Sequence, residues 1–91
     1  MQAVENIAKN LNIDSNELIH HGIRSYLREQ LKSVDIEIYT LSKKYGVKDI
    51  HIFLEKIEEG SISEDIAYDD FFLFDNLSAK RESIVKSLNE L

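Results

Sequence analysis

Apolar side chains recur through the middle of this chain with a helical beat. Leu27, Leu31, Val34, Ile38, Leu41 and Tyr45 follow one another at spacings of 4, 3, 4, 3 and 4. This is the a/d pattern of a helix that packs along its length against other helices. It predicts one helix over residues 14–45, roughly 45 Å long at the usual helical rise. A compact domain of this chain length measures only about 25–35 Å across. The helix is therefore expected to overhang its own domain, and the seam reads as the dimerisation surface of a homodimer.

The flanking patterns predict three further, shorter or bent helices. Val4, Ile7, Ala8 and Leu11 share one face over residues 3–11. Asn10-Leu11-Asn12-Ile13 then interrupts, because Asn favours turns. Asp14 is a good N-cap for the long helix, with Glu17 completing a capping box and Ile13 and Leu18 placed as a hydrophobic staple. Tyr45-Gly46-Val47 fits a left-handed C-cap, and Lys43 and Lys44 complement the helix dipole. Asp49 caps a third helix over 50–59, with Ile50, Phe53, Leu54 and Ile57 inward and Gly60 closing it. Ser63 opens a fourth over 64–90, with possible bends near Asp69-Asp70 or Asp75-Asn76 and a stripe of Phe74, Leu77, Ile84, Leu88 and Leu91. The expected fold is all-α, a small helical bundle built on one long helix, in a single domain of residues 1–91.

Composition supports this reading. There is no Pro and there are three Gly among the 91 residues, so little breaks a helix. The absence of Cys excludes disulfides and thiolate metal sites and fits a reducing compartment. No run is long and apolar enough to span a membrane, and Met1-Gln2-Ala3-Val4-Glu5-Asn6 lacks the basic start and apolar run of a signal peptide. A cytoplasmic protein is expected. Gly22, inside the long helix, has two readings: a close helix crossing or a neutral surface position.

Charge divides the chain. Residues 1–45 carry six basic and six acidic side chains, whereas residues 46–91 carry five and eleven. The acidic half reads either as a solvated surface or as a face for a basic partner. Nucleic acid fits it poorly, since phosphate contacts need clustered Lys and Arg. The first two helices allow a weak DNA-reading hypothesis, a helix-turn-helix-like regulator presenting Asn16, Arg24 and Arg28. The alternative is a helical hairpin that starts the core.

The most distinctive local sequence is Tyr68-Asp69-Asp70-Phe71-Phe72-Leu73-Phe74-Asp75. A helix bearing it is apolar on nearly every side. Either one face enters the core and the rest meets a partner, or neighbouring helices clamp it from both sides. Catalytic and metal chemistry finds no footing. His20 and His21 are adjacent and diverge; His51 and Glu55 lack further ligands; Glu64, Asp65, Asp69 and Asp70 lack the spacing of a calcium loop. No phosphate loop or nucleophile motif is present, so neither enzyme activity nor a cofactor is expected.

Lys43-Lys44-Tyr45-Gly46-Val47, the Phe53 helix, Glu58-Glu59-Gly60 and Tyr68-Asp69-Asp70-Phe71-Phe72 together resemble a group of small archaeal and bacterial antitoxin-like helical proteins, over roughly residues 14–80. Phe74-Asp75-Asn76-Leu77 departs from the more Trp- and Glu-rich segment of that group. The resemblance implies a non-enzymatic interaction protein, the antitoxin of a toxin–antitoxin pair that neutralises a basic ribonuclease toxin. Tyr68, Asp69, Asp70, Phe71, Phe72, Phe74 and Asp75 would bind that partner. The alternatives are a stand-alone dimeric structural or regulatory adaptor and the small transcriptional regulator.

Overall fold

A computed structural model of the chain describes residues 2–91. Four helices follow in order: α1 (Gln2–Leu11), α2 (Ser15–Tyr45), α3 (Ile50–Glu58) and α4 (Glu64–Asn89). The fold is all-α, and no strand occurs among the described residues. The side-chain caps of α2 and α3 form where the sequence places them. The Asp14 carboxylate accepts from the backbone N–H of Asn16 and Glu17 at 3.1 and 3.2 Å. Asp49 accepts from Ile52 N–H at 2.9 Å. Gly46 takes the left-handed conformation, φ 63°, that releases the chain from α2. Ser63 holds the N-cap position of α4 without a side-chain cap bond. α4 runs unbroken past both suspected bends. Asn12, at φ 56°, makes the sharp turn out of α1, where Ile13 N–H bonds back to Ala8 C=O at 2.9 Å.

α2 and α4 pair side by side and antiparallel. Tyr45 meets Asp70 while Asp35 meets Arg81, so ten residues down α2 correspond to eleven up α4. The expected a/d seam is covered by this pairing. Val34 and Leu41 are buried against Phe74, Leu77 and Ile84, with Leu27, Leu31, Ile38 and Tyr45 packed around them. Leu27, Leu31, Val34, Ile38, Leu41 and Tyr45, read from the sequence as a dimerisation seam, thus pack within the chain. α4 carries its own complementary stripe and is long enough to cover the seam within the chain. The overhang is real nonetheless: the molecule measures 60 × 20 × 18 Å.

α3 closes the joint at the far end. Phe53, 0% exposed, has ring centroids 4.6 Å from Tyr45, 5.7 Å from Phe71 and 5.8 Å from Phe74. One side chain thus ties α2, α3 and α4 together through edge-on aromatic contacts and a tilted stack. Leu54, expected inward, is instead exposed at the edge of α3. Val47 and Ala67 join the core although neither stood out in the sequence. A side chain added at Gly22 would meet nothing within 4 Å, which removes the close-crossing reading of that position.

Phe53→Ala should lower unfolding free energy by about 3–5 kcal/mol, the cost of emptying an aromatic core site, measured by urea melts. The two glycines should respond oppositely. Gly22→Ala should gain about 0.5–1 kcal/mol in helix propensity, while Gly46→Ala should lose about 1–2 kcal/mol to left-handed strain. Equal responses at the two sites would contradict the cap geometry.

Candidate functional site

The acidic–aromatic segment, together with Glu64 and Asp65 upstream of it, lies on α4, and the helical turn of about 100° per residue deals its side chains to opposite sides. Phe74 goes fully inward, and Phe71 half inward against Phe53. Neither is free to meet a partner in the way the sequence suggested for all seven residues, and Phe74 in particular is corrected from a contact residue to a core residue. Tyr68 and Phe72, one turn apart, remain 54% and 47% exposed. Their rings stack edge to face at 4.8 Å. Asp69 and Asp75 are exposed on the same helix, as are Glu64 and Asp65 in its first turn.

α3 widens this strip into a face. Leu54, Ile57, Glu64, Tyr68, Phe71 and Phe72 line a cleft between α3 and α4. A neighbouring depression is lined by Glu64, Asp65, Ile66, Tyr68 and Asp69. The result is an apolar cleft edged by carboxylates. Leu54 and Ile66 were not expected to contribute. Leu54 read as part of the inward stripe of its own helix, and Ile66 lies out of phase with the stripe of α4.

Asp70 has a different task. Its Oδ2 accepts from Lys44 Nζ at 2.7 Å and from Tyr45 O–H at 2.5 Å. The bond from Lys44, followed by that from Tyr45, holds the Asp70 carboxyl below its ordinary value. The same contact pushes the Lys44 ammonium up, while burial and then the bond to Asp70 raise the Tyr45 phenol. Asp70 occupies the seam phase of α4, three residues after Ala67 and four before Phe74. It is a latch between α2 and α4 rather than a free contact for a partner. Arg81 sits at the equivalent phase farther along and donates from Nε to Asp35 at 2.7 Å.

The residues suggested for nucleic acid stay apart from this face. Asn16 and Arg28 are exposed on α2. Arg24 is partly buried, with its guanidinium 3.0 Å from His20 Nε2. Arg28 instead edges a groove with Leu31, Lys32, Asp35, Ile36 and Tyr39. Lys43 lies 5.5 Å above the Tyr39 ring at its end. This basic and apolar groove was missed in the sequence, because Ile36 and Tyr39 lie off the seam. Among the described residues no three potential metal ligands cluster, and no helix is long and apolar enough to cross a membrane.

The latch has a defined pH window. Depression of the Asp70 pKa makes its contribution complete above the ordinary carboxylate range, and that contribution fades as pH falls through the lowered folded value. Elevation of the Tyr45 and Lys44 values makes their contribution complete below their ordinary ranges, and it fades at strongly alkaline pH. Asp70→Asn should therefore destabilise by at most about 1 kcal/mol near neutrality, as befits a partly exposed pair. The difference from wild type should shrink as pH falls through the lowered folded value, where the wild-type Asp70 carboxyl itself becomes neutral. A difference that persists unchanged there would contradict the latch.

Comparison with known proteins adds kinship. No solved structure matches the chain. The Uncharacterized protein MJ0235 of Methanocaldococcus jannaschii is 31% identical over 75 residues, covering 82% of this chain and 92% of that protein. The model of one family matches residues 1–91. The chain belongs to the Uncharacterized protein MJ0235 family.

Proposed function

We propose that this chain is a non-enzymatic interaction protein, the antitoxin of a toxin–antitoxin pair, and that its α3–α4 face neutralises a basic ribonuclease toxin in the cytoplasm. One observation carries the reading. Tyr68 and Phe72 stand half exposed beside the cleft of Leu54 and Ile57, edged by Glu64, Asp65 and Asp69. A ribonuclease holds RNA phosphates with clustered Lys and Arg. Carboxylates in a ring would pair with those cations, and a desolvated aromatic centre would supply most of the affinity. The net charge of −6 would speed the encounter and make it salt-sensitive.

The adaptor reading keeps one supporting observation, the basic and apolar groove on α2, which offers a second, oppositely charged docking face. The DNA-regulator reading is weaker. Arg24 is engaged with His20, and residues 1–28 carry three basic and three acidic side chains, too few cations for phosphate binding.

The test is RNA cleavage by a basic ribonuclease toxin, assayed with and without the purified chain. Wild type should abolish cleavage. Tyr68→Asp and Phe72→Asp should each weaken neutralisation by at least about tenfold, the scale of losing an interface anchor, with helical circular dichroism unchanged. Phe72→Leu should retain most of it. Full neutralisation by both aspartate variants would overturn the proposal.

A further inference from the structure

The apolar surface of α2 does not stop where its cover stops. Toward the N-terminus from Leu27 the seam phase passes to the half-buried Arg24 and His20, and on the flank beside them stand Ile23, Ile19 and Tyr26, all exposed. The α2–α4 register places Asn89, the last residue of α4, about level with residues 26–27 of α2. Beyond that level α1 packs on α2. α1 buries Ala8 but leaves Ile7 and Leu11 outside. Ile7, Leu11, Ile19, Ile23 and Tyr26 are between 45% and 64% exposed. Five large apolar side chains thus stand about half exposed within the first 26 residues.

We propose that this α1–α2 end is a self-association surface and that its occupant is a second copy of the chain. Size and charge both select that occupant. At about 100 Å² from each half-exposed side chain, the patch offers on the order of 500 Å² per copy, the size that on monomers is often functional. With a polar rim it approaches the roughly 600–1,000 Å² per partner of a specific interface. Lys9, Arg24 and Arg28 balance Glu5, Asp14 and Glu17 over residues 1–28, whereas residues 46–91 carry a net −6. Two copies meeting through their neutral ends bring no like charges together and hold their acidic halves apart. A basic or an acidic partner would find no complementary field at this end. A twofold arrangement is self-complementary and buries the same patch on both copies. The proposed homodimer thus uses the exposed apolar flank beside the seam rather than the seam itself. This inference does not rest on the toxin reading, and the α3–α4 face stays free in the dimer.

The test is light scattering on the full chain over a range of concentrations. The wild type should show twice the 10.6 kDa chain mass. Ile19→Glu and Ile23→Glu place charge on half-exposed helix positions that tolerate Glu in folding. Each should shift the dimer dissociation constant upward by at least about tenfold, with unchanged circular dichroism. Phe72→Asp should leave the dimer intact. If a variant loses helicity, Tyr26→Ser, which removes apolar area without adding charge, should still weaken dimerisation. A wild-type chain that stays monomeric at all concentrations would overturn the proposal, as would a dimer insensitive to these changes.

Discussion

The structure depends on one demand: a helix of 31 residues carries an apolar seam along one side and must have it covered. Only α4, with 26 residues, approaches the length required. The two therefore lie antiparallel, and the short loops and α3 fit into what remains at one end. Phe53 is the wedge there. Its ring fills the space where α2 ends and α4 begins, so the three helices share one aromatic joint. The seam also needs a register. Two polar side chains at core phase of α4, Asp70 and Arg81, find partners on α2 and not elsewhere, and a one-turn slip would lose both. Polar residues at seam positions commonly trade some stability for a unique alignment.

A rod this thin has little interior. Few side chains are fully buried, and much apolar surface has nowhere to go within one chain. Small domains meet this limit generally, because the buried fraction falls with size. Here the remaining apolar surface is not scattered. One share lies at the neutral end built by α1 and the start of α2. Another lies on the α3–α4 face, among carboxylates. The first setting is neutral and the second acidic, and the two surfaces lie toward opposite ends of the rod.

Asp70 shows how an apparent binding residue can be spent internally. It sits in the run of acidic and aromatic residues, yet its carboxylate is bound by Lys44 and Tyr45. The acidic character of the α3–α4 face is left to Glu64, Asp65 and Asp69, whose carboxylates are exposed. The latch fixes the start of α4 on the end of α2. Through α4 it also fixes the direction in which Tyr68 and Phe72 project.

The sequence by itself determined the local structure. Asp14, Gly46 and Asp49 act within a few residues of themselves, so their caps and helix limits were readable without a fold. The a/d spacing of α2 was readable for the same reason, and so was the inward face of Phe53. What covers that seam was not readable. A periodic apolar stripe looks the same whether its partner is a second copy or another part of the chain, and nothing local shows that Asp70 and Arg81, at the phase of the α4 stripe, pair with α2. The division of residues 68–75 into core and surface was hidden as well, since a helix apolar on nearly every side has no preferred face until its neighbours are placed. Only the antiparallel packing of α4 on α2 decided that Phe74 turns inward and Phe72 outward, because that packing sets the rotation of α4 about its own axis.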